Sequence, residues 1–114
     1  MQSYYLLLRD HPDTFAKLSP TEIQAVIQRY VTWRNENSKH VTGGSKLADG
    51  QGRVVRKNGD GLTVSDGPFV EAKEILGGFF VVDAEDYDGA LAIARTCPHL
   101  EFGSIEVRLV EPTP

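Results

Sequence analysis

The chain has 114 residues, with 12 basic side chains against 16 acidic ones and a formal net charge of -4. A chain of this length forms one domain with one hydrophobic core, and the excess of negative charge argues against a nucleic acid as a direct partner. The longest apolar run is too short to span a bilayer, so we expect residues 1–114 to form a single domain without a membrane partner.

The cysteine content and the N-terminal residues indicate a cytoplasmic protein. Cys97 is the only cysteine, so no disulfide can form within the chain. The opening segment lacks both the basic start and the small-residue cleavage site of a secretory signal. Both features are typical of proteins in a reducing compartment.

The first half of the chain predicts a strand, a helix and a second, weaker strand. Residues 3–8 are apolar and aromatic, and the cluster of helix and strand breakers at residues 9–12 ends them. Ser19 and Glu22 have the spacing of a capping box, with a proline between them at the first helical position. Apolar residues then recur at helical spacing: Ile23, Val26, Ile27 and Tyr30. The helix should end near residues 35–39, and residues 40–47 form the weaker strand.

The second half predicts a hairpin, a strand, a helix and a last strand. Residues 53–57 and 62–65 flank Asn58-Gly59, a pair that suits a type I′ turn. Residues 66–74 form a loop, and residues 75–83 a buried strand. Acidic residues at 83–86 can cap a helix that Pro98 ends at about Cys97. Residues 105–110 alternate in polarity and predict the final strand.

This order of elements predicts an α+β fold of the ferredoxin-like type, with a β-hairpin inserted between its two halves. Both apolar helix faces should cover the same side of one antiparallel sheet. The other side would carry one residue from each of the pairs Tyr4/Tyr5 and Phe79/Phe80. An uncovered apolar face needs a partner or a ligand, and the simplest solution is a homodimer that forms through the open sheet face.

Two segments resemble a known family. The string from Asp66-Gly67-Pro68-Phe69 to Gly77-Gly78-Phe79-Phe80, followed by Cys97-Pro98-His99-Leu100, is similar to the signatures of DGPF-domain proteins within the YCII-related family. The resemblance covers residues 4–110 and implies a ferredoxin-like fold that pairs into a dimeric α+β barrel. A related branch uses a His–Asp pair with the His early in the chain, whereas the first predicted helix here carries no His.

Asp66 and His99 are the candidate proton-transfer residues. Asp66 opens a loop that glycine and proline shape, so it is either a base or a turn residue that accepts backbone N–H groups. His99 follows a helix C-terminus, which favours the imidazolium; it either acts as an acid or caps carbonyl groups. Sequence spacing does not show whether the two lie close together.

Glu71, Lys73 and Phe69 are the candidate ligand-binding residues of the same loop. A carboxylate beside a lysine can hold a polar ligand or stabilise developing charge. The alternative is an ordinary solvated loop in which Phe69 anchors to the core.

The sequence predicts neither a metal site nor a cofactor. His11, His40 and Cys97 have no metal-ligand spacing, and Cys97 is expected to act as a small hydrophobic residue rather than a nucleophile. Gly43-Gly44-Ser45-Lys46 lacks the spacing of a phosphate-binding loop.

Three hypotheses on function follow. The first is a dimer that binds a small organic molecule in a sheet-face pocket and uses acid–base catalysis. The second is a non-catalytic module that binds proteins of the transcription apparatus, because DGPF-like domains resemble segments associated with sigma factors. The third is a structural dimer with a solvated charged loop. The fold does not decide between them.

Overall fold

The computed structural model describes residues 1–67 and 74–113 and has six strands and two helices in the predicted order. The strands are β1 (Gln2–Asp10), β2 (Val41–Lys46), β3 (Arg53–Asn58), β4 (Gly61–Asp66), β5 (Ile75–Ala84) and β6 (Gly103–Leu109). The helices are α1 (Pro20–Glu36) and α2 (Tyr87–Ala94). Neither helix of this part of the chain has the length and apolar character needed to cross a membrane.

The main sheet has the strand order β2-β5-β1-β6, with every neighbouring pair antiparallel. The strands β3 and β4 form a separate two-stranded sheet. Two split βαβ units that interleave in this order make the ferredoxin-like plan, which confirms the predicted fold class and the inserted hairpin.

Helix α1 begins where the sequence predicts. The hydroxyl of Ser19 accepts a hydrogen bond from the N–H of Glu22 at 3.2 Å, and the Glu22 carboxylate accepts one from the N–H of Ser19 at 3.0 Å. These reciprocal bonds satisfy two backbone donors that the first turn leaves free, and they hold the Glu22 pKa below its ordinary value.

Helix α2 ends three residues earlier than predicted. Asp86 caps its start by accepting from the N–H of Gly89 at 2.9 Å. At the other end, the N–H of Cys97 bonds to the carbonyl of Ala94, so the chain tightens before Pro98. Pro98 does not simply stop the helix; it occupies the first turn of a short 3₁₀ segment, Pro98–Glu101. A proline is tolerated there because its missing N–H would have no partner.

Both helices pack on one face of the main sheet, as predicted. Alternate residues of β1 point to that side, and Tyr4 and Leu6 are almost completely buried there. Trp33 of α1 packs against Phe80 with ring centroids 4.9 Å apart. Tyr87 at the start of α2 meets the edge of Tyr4 at 5.0 Å.

The opposite face of the sheet has no helix over it in the described part of the chain. Tyr5 and Phe79 stack there with ring centroids 5.5 Å apart, and Tyr5 is 40% exposed. Ion pairs from Arg9 and Arg108 to Glu106 lie along the β6 side of this face. Of the pairs Tyr4/Tyr5 and Phe79/Phe80, the structure therefore places Tyr5 and Phe79 on the uncovered face, with Tyr5 exposed and Phe79 half-buried.

The hairpin of β3 and β4 lies apart from the core. Its turn is Gly59-Asp60, and of these two residues only Gly59 has a positive φ, of 63°. A type I′ turn needs two such residues, so the predicted type is wrong; the φ values fit type II′, in which only the first central residue is left-handed. Val55, Leu62 and Val64 are all more than half exposed.

Candidate functional site

A cavity of about 580 Å³ lies between α1 and the helix-covered face of the sheet. Its walls are apolar, with Val26 and Ile27 on the helix side and Leu8 and Phe80 on the sheet side. Phe15, from the segment that joins β1 to α1, also contributes to the lining. A mostly apolar cavity of this volume with a few polar groups is the usual form of a small-molecule site.

Asp10 is the deepest charged residue in the cavity. It continues the alternation of Tyr4, Leu6 and Leu8 along β1, so it occupies a position of the core-facing side and is only 3% exposed. Within residues 1–67 and 74–113, no group donates a hydrogen bond to its carboxylate. Its oxygens open on the cavity, so a carboxylate at this buried position depends on solvent or a ligand there for its hydrogen bonds, which makes it a candidate for ligand binding.

The backbone of β5 makes room for this carboxylate. Leu8 pairs with Gly78 while Arg9 pairs with Leu76, so Gly77 is the extra residue of a β-bulge. A Cβ on Gly77 would lie 2.8 Å from Oδ2 of Asp10. Any larger residue at position 77 would therefore push the carboxylate away from its position in the cavity.

Burial raises the pKa of the Asp10 carboxyl above its ordinary value. Attraction to His99 and Lys46 lowers it, and repulsion from Asp49 and Glu74 raises it further, with a net upward shift. A carboxylate with a raised pKa is a stronger base than an exposed one, and such groups are common in sites of proton transfer.

His99 lies beside Asp10 and is 2% exposed. Its Nε2 is 2.9 Å from the carbonyl oxygen of Arg9, and its Nδ1 is 2.9 Å from the hydroxyl of Tyr30. A carbonyl can only accept, so Nε2 carries the proton and donates. The neutral tautomer with its proton on Nε2 then satisfies both contacts, because Nδ1 accepts from the Tyr30 hydroxyl.

Tyr30 connects the helix to this buried pair. It is the last residue of the apolar stripe predicted for α1, and burial raises its pKa well above the ordinary value. Its hydroxyl therefore stays protonated at neutral pH and donates to His99, while its oxygen can still accept from a molecule in the cavity. Together, Asp10, Tyr30 and His99 form a polar floor under apolar walls.

A close backbone contact fixes the position of His99. Gly103 pairs with Asp10 across the sheet, and a Cβ at position 103 would lie 1.8 Å from the carbonyl oxygen of Arg9. That oxygen is the one that accepts from His99. Only glycine allows the two strands to approach this closely while the imidazole keeps its bond.

The rim of the cavity carries an ion pair. Nζ of Lys46 lies 2.6 Å from Oδ1 of Asp49 and 2.8 Å from the carbonyl of Leu47, and it sits 5.7 Å from the ring centroid of Phe15. Arg34 of α1 also lines the cavity and is exposed. The charged side chains of the rim are exposed, whereas the residues Asp10 and His99 of the floor are buried.

The structure separates the two residues that the sequence selected for proton transfer. His99 lies on the cavity floor, but Asp66 is the last residue of β4 and is not among the residues that line the cavity. The Asp66 side chain is 91% exposed and lies 3.5 Å from Nε of Arg53. Glu71, Lys73 and Phe69 lie outside the described residues.

The remaining candidates are a cysteine and two histidines, and none of them lies in the cavity. Cys97 is 3% exposed, and burial raises the pKa of its thiol to about 11, as befits a small hydrophobic residue. His11 is exposed beside Asp13, and His40 is half-buried at the start of β2. In the part of the chain that the structure describes, no three His, Cys, Asp or Glu residues are grouped so that they could hold a metal ion.

Sequence reasoning missed Asp10 and Tyr30 as site residues. The interpretation of residues 9–12 as strand breakers hid the fact that Asp10 keeps the two-residue period of Tyr4, Leu6 and Leu8. A charged residue at the end of a core-facing series is a signal for a functional site, because it would otherwise lie at an unfavourable position. The sequence pattern indicates Tyr30 only as part of the helix stripe, since its hydroxyl partner is 69 residues away.

Comparison with known families gives one match. The family model of the YCII-related domain matches residues 3–114, essentially the whole chain. No curated protein matches the sequence significantly.

Proposed function

The chain belongs to the YCII-related family, and we propose that it binds a small, largely apolar organic molecule in the cavity between α1 and the sheet. The observation that carries this proposal is the polar floor of Asp10, Tyr30 and His99 under apolar walls. The walls supply the affinity by removing apolar surface from water, and the floor selects the orientation of the ligand. The cavity lies on the helix-covered face, so a dimer that uses the open face leaves it accessible.

A thermal-shift screen with a matched pair of variants tests this proposal. Ile27 lines the cavity and Leu100 does not, yet both are 48% exposed. Ile27→Trp should fill the cavity, while Leu100→Trp adds the same ring elsewhere. A ligand at a hundredfold excess over its Kd stabilises the fold by about 2.7 kcal/mol, a shift of several degrees in Tm. We expect that shift in the wild type and in Leu100→Trp, and its loss in Ile27→Trp. An equal shift in both variants would place the ligand outside the cavity.

A second candidate function is acid–base catalysis on the bound molecule, with Asp10 as the proton acceptor in place of Asp66. The raised pKa of Asp10 and the hydroxyl of Tyr30, held by His99, favour this reading. In D₂O, NMR of bound carbonyl compounds should show exchange of their acidic C–H protons. We expect Asp10→Asn to slow that exchange by about 100-fold or more and Asp66→Asn to leave it unchanged. Equal effects of the two variants would remove Asp10 from the reaction.

We also propose that two copies pair through the open sheet face. The stacked Tyr5 and Phe79 form an exposed apolar centre, and the alternating charges of Arg9, Glu106 and Arg108 beside it can pair across a two-fold axis. Light scattering should give a dimer mass for the wild type and for Leu100→Glu, and a monomer mass for Tyr5→Glu. A monomeric wild type would contradict the pairing.

Two further assignments rest on the sequence. We propose that the chain belongs to the DGPF branch of its family, because it carries Asp66-Gly67-Pro68-Phe69. We also propose a cytoplasmic location, which its single cysteine supports.

A further inference from the structure

We propose that the ligand of this cavity is a small apolar amine, which binds as its ammonium ion and donates a hydrogen bond to the carboxylate of Asp10. This inference rests on the proposed binding function and names the chemical class of the ligand. Three observations carry it: the carboxylate has no donor, the nearby lysine is already paired, and the walls are apolar and aromatic.

Asp10 lies at a buried position with its carboxylate open to the cavity, and the neighbouring donors His99 and Tyr30 are committed elsewhere. The Nε2 proton of His99 goes to the carbonyl of Arg9, and the hydroxyl proton of Tyr30 goes to Nδ1 of His99. Neither proton is free for Asp10 without the loss of an existing bond. A ligand that brings its own donor completes the floor without rearranging it.

With His99 in the neutral form that its two hydrogen bonds allow, the charges around Asp10 leave one negative charge uncompensated at the bottom of the cavity; a protonated His99 would exert the strongest attraction on that carboxylate. Lys46 attracts Asp10, but its ammonium group is bonded to Asp49 at 2.6 Å, so the pair contributes little net charge. Glu74 adds repulsion. A cationic ligand head relieves this imbalance, whereas a carboxylate or phosphate head would bring a second negative charge next to Asp10.

The walls of the cavity suit the apolar body of an organic amine. Leu8 and Val26 are less than 9% exposed, and Phe80 closes the sheet side, so an apolar body loses water on several sides. The rings of Phe15 and Tyr30 also line the cavity, and aromatic faces attract an organic ammonium ion. Lys46 already lies over the Phe15 ring, which shows that a primary ammonium group is accommodated at the rim.

Three probes of nearly the same shape test the head group: phenethylamine, phenethyl alcohol and hydrocinnamate. Their dissociation constants for the full chain would be measured by calorimetry at neutral pH. A hydrogen bond to a charged group contributes about 1.5–3 kcal/mol, so the amine should bind at least about tenfold more tightly than the alcohol. Hydrocinnamate should bind most weakly.

Two variants test whether Asp10 is responsible for the preference for the amine over the alcohol. Asp10→Asn should abolish the preference for the amine over the alcohol, and Asp66→Asn, which makes the same change at a residue outside the cavity, should preserve it. In the wild type, the preference should also decrease as the pH is lowered and Asp10 becomes protonated, a measurement that does not depend on how well Asp10→Asn folds. That pH response includes the groups that face Asp10: His99, Tyr30, Lys46, Asp49 and Glu74.

The outcomes separate the inference from the binding function beneath it. If the alcohol binds as tightly as the amine, or if the preference persists in Asp10→Asn, the ammonium assignment is wrong while the cavity remains a binding site. Weaker binding of the amine than of the alcohol would mean that Lys46 or a protonated His99 already neutralises Asp10, and it would also overturn the assignment. If none of the three probes binds, both proposals fail.

Discussion

The four-stranded sheet and the hairpin of β3 and β4 differ in how far they bury their apolar side chains. In the sheet, Leu6 and Val82 are completely buried and both helices cover the same face. In the hairpin, Leu62 and Val64 are 72% and 65% exposed. An isolated two-stranded hairpin is marginally stable in water. The sheet is therefore stabilised by its own core, whereas the hairpin leaves its apolar side chains exposed.

The largest effect is expected at Gly103, where β6 approaches the backbone of β1 too closely for a side chain. Gly103→Ala would place a Cβ 1.8 Å from the carbonyl of Arg9, so β1 and β6 must separate. We expect a loss of more than about 3 kcal/mol in the free energy of unfolding, measured by urea denaturation.

Gly61→Ala in the hairpin is the matched control. Its nearest contact is the Asn58 carbonyl at 3.7 Å, an ordinary van der Waals distance, and Gly61 has a negative φ or an extended backbone. A change of less than about 1 kcal/mol is expected. Comparable losses in the two variants would show that the close approach at Gly103 is not what holds the sheet.

The next effect compares two leucines. Leu6→Ala removes a completely buried side chain and should cost about 2–5 kcal/mol. Leu62→Ala removes an exposed one and should stay within about 0.5 kcal/mol in a dilute monomer. The same urea titrations, repeated at high protein concentration, complete the test. A loss for Leu62→Ala that grows with concentration would show that a second copy covers the hairpin.

The sequence predicts the sheet better than the hairpin turn because its signals there are redundant. The alternation in β1, the capping box at Ser19 and the stripe of α1 all indicate the same plan, and the structure confirms them. The turn depends on the φ values of two residues, and Asn58-Gly59 was compatible with more than one register. A one-residue difference moved the turn to Gly59-Asp60.

The site was predictable only in part, for a different reason. His99 could be selected because it follows a helix C-terminus, which favours an imidazolium, but its partners Tyr30 and Arg9 are 69 and 90 residues away in the chain. Contacts at that separation are set by strand order and register, which local patterns do not specify. The alternation along β1 is visible in the sequence and places Asp10 on the core-facing side. That no group donates a hydrogen bond to its carboxylate within the described residues can be seen only in the folded structure.

A smaller effect is expected on the floor of the cavity. Tyr30→Phe removes the hydroxyl that donates to His99 and leaves Nδ1 without its partner, at a cost of about 1–3 kcal/mol. Tyr5→Phe makes the same change on the open face, where the ring is 40% exposed, and should stay within about 0.5 kcal/mol. If thermal unfolding gave the same Tm for both variants, the Tyr30–His99 bond would contribute nothing measurable.

The smallest effect has the opposite sign. Replacement of Asp10 should raise the stability, because its charged form is disfavoured at this buried position. Its pKa is raised in the folded state, so the folded state binds the proton more tightly than the unfolded chain. The resulting stability is fully present below the unfolded pKa, near 3.8, and is lost as the pH rises through the higher folded pKa. An asparagine at this position does not titrate, so it adds no pH-dependent term to the stability.

Asp10→Asn should therefore match the wild type at low pH and exceed it at neutral pH, by about 2–6 °C in Tm. Asp66→Asn is the control: its carboxylate is 91% exposed, so its contact with Arg53 is screened by water and its loss should change stability by less than about 0.5 kcal/mol. A lower Tm for Asp10→Asn at neutral pH would mean that the carboxylate has a stabilising partner in solution. The sheet would then contain no destabilised group for a ligand to relieve, and the contrast with the hairpin would be one of packing only.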